Sequence, residues 1–220
     1  MVPNWAKNIL FLLVYMISGL VLVIIIEGLI SGTDLIPLNT AIESVVVGMR
    51  SPILTTFLVF VTKFGNPFVF SAGAILIAIL LAARGNRYEA VLFLTALVIT
   101  VISLTVLKNI FQISRPTSEI YSANGWSFPS GHATVATTFF FLISYIFIGK
   151  IRSVQRKTLL IVGSVIGASL VCFSRLYLGA HWTLDILAGI ALGLLSVSFT
   201  VLMFSLFFGD KRSVRKIVDL

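Results

Sequence analysis

The chain has one cysteine, Cys172, which excludes an intrachain disulfide and a cysteine-built metal cage. It has two histidines and eight acidic residues in 220, and no carboxylate cluster stands beside the histidines. The oxygen-rich donor set of a divalent-metal site is therefore missing, and neither a metal nor another cofactor is expected. Charge is scarce at 11%, and there are no repeats or low-complexity segments. What remains is apolar. Hydrophobic residues make up 58% and phenylalanine alone supplies 18 positions; soluble domains hold roughly 45–50% apolar residues. The reading is an all-α integral membrane bundle, one domain over residues 1–220.

Basic residues outnumber acidic ones 16 to 8. In a soluble protein that excess suggests nucleic acid. Here the charges fall in short loops, so the excess reads as a topology signal and no nucleic-acid partner is expected.

Six apolar runs can each cross about 30 Å of hydrocarbon: residues 8–30, 67–83, 88–110, 132–149, 158–174 and 182–208. The first reads as an uncleaved signal anchor. Between the first two runs, residues 31–66 mix Asp34, Glu43, Arg50 and Lys63 with Gly32, Pro37, Pro52 and Gly65. Segments 39–49 and 53–64 there are expected to be short helices at the interface. Lys7, then Arg84 and Arg87, then Lys150, Arg152, Arg156 and Lys157, then Lys211, Arg212, Arg215 and Lys216 all fall on one side of six spans. By the positive-inside rule that side is cytoplasmic. Both termini are then cytoplasmic, and residues 111–131 and 175–181 face outward from a cytoplasmic (inner) membrane.

Three polar clusters lie at the outer helix ends: "KNIFQISRP", Lys108 to Pro116; "PSGH", Pro129 to His132; and "SRLYLGAHWTLD", Ser174 to Asp185. Ionisable residues gathered at one membrane depth point to a site, because burying them elsewhere is costly. His181 and Asp185 are four apart and share a face if the last helix begins near His181. The carboxylate can hold one ring nitrogen and leave the other basic; a buried, satisfied His–Asp pair is the plainer alternative. Ser130 suits an N-cap, and the helix start behind it presents N–H groups to an anion, with Gly131 allowing close approach. An ordinary capped helix is the alternative, but it leaves His132 without a role; a proton donor and acceptor beside the anion is one. Lys108, Arg115 and Arg175 supply cations suited to phosphate oxygens, or to headgroup snorkelling in the case of Lys108. Glu27, Glu119, Tyr121, Asn124, Trp126, Tyr177 and Trp182 could rim the site or simply occupy the interface.

The pattern Lys-x6-Arg-Pro, Pro-Ser-Gly-His, Ser-Arg-x5-His-x3-Asp resembles the signature of the type 2 phosphatidic acid phosphatase superfamily, and every motif position matches. The resemblance implies that His181 attacks phosphorus and forms a phosphohistidine, Asp185 supports it, and His132 protonates the leaving group and then activates water. Lys108, Arg115, Ser130, Gly131 and Arg175 would bind the phosphate oxygens. It implies a lipid phosphate substrate, such as undecaprenyl pyrophosphate, phosphatidylglycerophosphate, phosphatidic acid or lipid A. A vanadate-holding haloperoxidase site and a non-catalytic headgroup binder or transporter are the rival readings. Membrane lipids are expected neighbours, and oligomeric state is left open.

Overall fold

The computed structural model describes residues 4–32, 35–121 and 124–208. Asp34 and the basic tail Lys211, Arg212, Arg215 and Lys216, which entered the charge argument, lie outside the described residues. Within them the chain is all helix: α1 Asn4–Ser31, α2 Leu35–Gly48, α3 Pro52–Phe64, α4 Pro67–Ala83, α5 Arg87–Phe111, α6 Gly131–Ile148, α7 Val154–Tyr177 and α8 Thr183–Phe208.

Five of these, α1, α5, α6, α7 and α8, are individually long and apolar enough to cross a membrane. The two short helices expected between the first and second spans are α2 and α3. α3 runs directly into α4 across a 44° bend, and the pair passes as a sixth span. The break has a local cause. Ser51 and Asn66 each cap a new helix with a side-chain oxygen, accepting from Leu54 N–H at 3.4 Å and Phe68 N–H at 2.8 Å. Proline follows each cap, where its missing N–H costs nothing. α7 is longer than the expected run 158–174, so Arg175 stands in the last turn of a helix and not in a turn.

α8 is the central helix. Its apolar window is 61% buried, against 22% for α1, which packs along its outside. Ile24, Phe60, Leu76, Val98 and Leu159 lie exposed on other helices. So much exposed apolar surface needs lipid around it, and the chain is a multi-pass membrane protein. α6 meets α8 at backbone distance. A Cβ on Gly189 would lie 2.8 Å from Ser130 O, and one on Gly193 2.8 Å from Thr134 O. Small residues permit such approach in membranes, where packing must supply the association energy. The contact sets the start of α6 against the start of α8, and the candidate site lies there.

Candidate active site

His181 is 3% exposed and sits in the short connection between α7 and α8. Its Nδ1 is 3.4 Å from Asp185 Oδ2 and 3.3 Å from Ser127 Oγ. The helical-face argument does not apply as stated, since α8 starts at Thr183 and His181 precedes it. The pairing has another origin. Asp185 stands at the third helical position and its Oδ2 reaches back to accept the backbone N–H of Trp182 at 2.9 Å. That is half of a capping box, and the same oxygen is thereby held beside the ring. Ser127 also donates its hydroxyl to Asp185 Oδ2. With Nδ1–H turned to this acceptor, Nε2 carries the lone pair.

Nε2 faces Arg115, whose Nη1 is 3.3 Å away. The Arg115 guanidinium ties two strands of loop together: Nη1 donates to Ala180 O at 2.5 Å, Nε to Gly125 O at 3.0 Å and Nη2 to Asn124 O at 3.0 Å. Lys108, in the last turn of α5, donates to Trp126 O at 2.5 Å. Ser130 is wholly buried; its N–H donates to Asp185 O at 2.9 Å and its Oγ caps α6 at Ala133 N–H. Gly131 opens α6, and a Cβ there would meet only Leu104 and Pro67 at ordinary contact distance, 3.5 and 3.8 Å. The protein's own packing therefore does not demand glycine at that position. His132 makes no hydrogen bond to the described residues and lies within electrostatic reach of Arg175, His181, Arg115 and Lys108. Arg175 is buried and donates from Nη1 to Thr62 Oγ1 at 2.8 Å. The structure thus brings Lys108, Arg115, Ser130, Gly131, His132, Arg175, His181 and Asp185 to one end of the bundle.

Cations dominate this pocket. Burial holds the His181 imidazole well below its usual 6.5, and Arg115, Arg175 and Lys108 push it further in the same direction. Burial also pulls Arg115 down, opposed by Glu119 and Asp185. A buried imidazole kept neutral among cations leaves a pocket whose charge suits an anion.

Residues 89–208, more than half of the chain, match the PAP2 superfamily. The chain belongs to that superfamily. A curated relative, an undecaprenyl-diphosphatase of Sulfolobus acidocaldarius, is 29% identical over 75% of this chain and 78% of its own length. Phosphatidylglycerophosphatase B of Bacillus subtilis is 38% identical over a shorter stretch, 41% of this chain and 45% of that protein. The solved structure of a transmembrane PAP2-type phosphatidylglycerolphosphate phosphatase from Bacillus subtilis superposes with a TM-score of 0.75, covering 91% of this chain and 97% of that one at 22% identity. That last likeness concerns the PAP2 fold.

Sequence reading missed several residues of this PAP2 site. Ser127 stands two residues before the Pro-Ser-Gly-His motif, and its serine carries no local signal of a contact with Asp185. Thr62 and Asn39 come from α3 and α2; Asn39 Oδ1 accepts Leu184 N–H at 3.2 Å, filling a second open donor at the start of α8. The rim candidates divide. Tyr177 is buried, with its hydroxyl accepting Ser51 N–H at 2.8 Å, so it is no rim residue. Trp182 Nε1 donates to Ser114 O at 3.0 Å and Asn124 offers its carbonyl to Arg115, so both hold loops. Glu27 is exposed on α1.

Proposed function

We propose that this PAP2 phosphatase hydrolyses the phosphomonoester or pyrophosphate of a membrane lipid, without a metal, through a phosphohistidine on His181. The observation that carries the reading is the imidazole of His181, held through Nδ1 by Asp185 and Ser127 with Nε2 directed at Arg115.

In the first step Nε2 attacks phosphorus and the bond from phosphorus to the leaving oxygen breaks. His132 delivers a proton to that oxygen. Arg115, Arg175, Lys108 and the N–H groups at the start of α6 receive the equatorial oxygens, where charge accumulates. In the second step His132 takes a proton from water, the water oxygen attacks phosphorus, the P–N bond breaks and inorganic phosphate leaves. Asp185 supports the positive charge that develops on the His181 ring.

A lipid substrate fits a site at the ends of membrane helices. A phosphate headgroup lies at that depth while its acyl or prenyl chain stays in the bilayer. The positive-inside rule, applied to the loop charges, supports a site on the outer face of the cytoplasmic membrane with both termini inside. Undecaprenyl pyrophosphate, phosphatidylglycerophosphate and phosphatidic acid are the substrates to compare, the first two because curated relatives carry such activities in their names.

The test is phosphate release from these three lipids by purified protein, with and without EDTA. Release that persists in EDTA and vanishes in His181→Ala is expected, with acid-labile, base-stable phosphate label on the wild type during turnover. Release from none of them would sink the enzyme reading. Loss of turnover in EDTA would sink its metal-free form.

A further inference from the structure

Arg175 is 2% exposed, and among the described residues its guanidinium makes one hydrogen bond, from Nη1 to Thr62 Oγ1 at 2.8 Å. Its Nε is buried and has no hydrogen-bond partner among the described residues. A buried cation with an open donor is costly unless something anionic completes it. Thr62 is itself 1% exposed, on the inner face of α3. Close docking brings it there. A Cβ on Gly65 would lie 2.8 Å from both methyl groups of Val171, one turn before Arg175 on the same face of α7. α3 therefore lies tight on α7 just where it bends into α4, and Thr62 ends beside the guanidinium. Thr62 belongs to none of the motifs and precedes residue 89, where the superfamily match begins.

We propose that Thr62 is a positioning residue for phosphate binding. Its hydroxyl oxygen holds the Arg175 fork before the ligand arrives, leaving Nε and the second Nη for phosphate oxygens. An arginine side chain loses much rotamer freedom when it is fixed, and a fork fixed in advance loses less on binding. The proposal rests on the phosphatase reading above.

The experiment compares wild type, Thr62→Val and Thr62→Ser in detergent, with phosphatidic acid as substrate and orthovanadate as inhibitor. A hydrogen bond to a charged group is worth about 10- to 100-fold. Thr62→Val should raise KM and the vanadate inhibition constant by about that factor and change kcat less. Thr62→Ser should restore both to within about threefold, because it returns the oxygen and not the methyl. A Thr62→Val protein with wild-type constants overturns the proposal, and so does a Thr62→Ser protein as impaired as Thr62→Val. If Thr62→Val is not recovered folded, Thr62→Ala is read against Thr62→Ser in the same way. If wild type releases no phosphate, the phosphatase reading fails separately. Calorimetric vanadate binding then decides on Thr62, and equal affinities of wild type and Thr62→Val overturn it.

Discussion

The backbone N–H of Ser130 donates to the carbonyl oxygen of Asp185 at 2.9 Å. This one bond joins the start of α6 to the start of α8, and so joins the Pro-Ser-Gly-His turn to the residue whose carboxylate holds His181. Ser127 adds a second tie, from its hydroxyl to the Asp185 side chain. The two halves of the site are thus held at fixed spacing by groups within four residues of one another in sequence.

Ser127→Ala removes the hydroxyl and leaves Asp185 Oδ2 with two donors, Trp182 N–H and His181 Nδ1. Loss of one such bond to a carboxylate is worth about 1.5–3 kcal/mol. The expected result is a fall in kcat of about 10- to 100-fold with KM little changed, since the bond orients the ring and does not touch phosphate. Steady-state kinetics checks it; an unchanged kcat would separate Ser127 from the reaction.

The pH response follows from His181. Burial first, then Arg115, Arg175 and Lys108, hold its pKa well below 6.5. In the proposed mechanism the neutral ring attacks, so activity is expected to persist as pH falls through 6.5 and to be lost only at lower pH. Arg115→Ala removes one of the depressing charges, so the pKa rises and protonation begins at higher pH. Carbon-13 NMR titration of labelled histidine checks this directly. With two histidines in the chain, His132→Gln assigns the remaining signal to His181. A titration unmoved or moved downward by Arg115→Ala would contradict it.

Gly131→Ala tests whether the glycine serves the ligand. Its Cβ meets nothing in the protein closer than 3.5 Å, so the variant should fold with an unchanged thermal midpoint. Phosphate release should nonetheless fall by about tenfold or more, as expected when one oxyanion donor is obstructed. Wild-type activity in this variant would leave the glycine without a ligand role.

Gly189 and Gly163 make a matched pair. Both lie inside helices, where glycine to alanine gains about 1 kcal/mol in propensity. A Cβ on Gly163 meets nothing within 4 Å, so Gly163→Ala should stabilise by up to that amount. A Cβ on Gly189 would lie 2.8 Å from Ser130 O, and overpacking costs about 1–3 kcal/mol. Gly189→Ala should therefore destabilise or break even, and it should lower activity because Ser130 is displaced. Thermal midpoints and kcat/KM of the two variants decide.

Topology is checked with cysteines. Native Cys172 is 7% exposed, while Ile120 lies exposed in the loop before α6 and Gly149 exposed after it. Ile120→Cys should react with an impermeant maleimide from outside intact cells, and Gly149→Cys only after lysis. The opposite pattern would reverse the orientation.

How far the sequence reached varies from residue to residue. Lys108, Arg115, Ser130, His132, Arg175, His181 and Asp185 were legible because each cluster is contiguous and its residue types are rare in lipid. Five spans were legible because hydrophobic length is a local property, whereas the run 67–83 passes as a span only joined to α3. Helix ends were less so. α7 overran its expected end by three residues, from 174 to Tyr177, since polar Arg175 is buried by its neighbours and not by its own segment. The His181–Asp185 pair was legible as a pair, but a helix cap joins it and not a shared helical face.

Composition alone determined that this chain lives in a membrane, because no soluble packing could hide so much apolar surface. The motif spacings alone determined which ionisable residues belong together, because sparse charges in an apolar chain stand out. The tertiary structure decided what holds them in place. Ser127 at Asp185, Thr62 at Arg175 and Asn39 at the start of α8 are ordinary polar residues, and their partners lie far along the chain. Close packing of α6 on α8 at Gly189 and of α3 on α7 at Gly65 accompanies the first two of these contacts, and the docking of α2 on α8 accompanies the third.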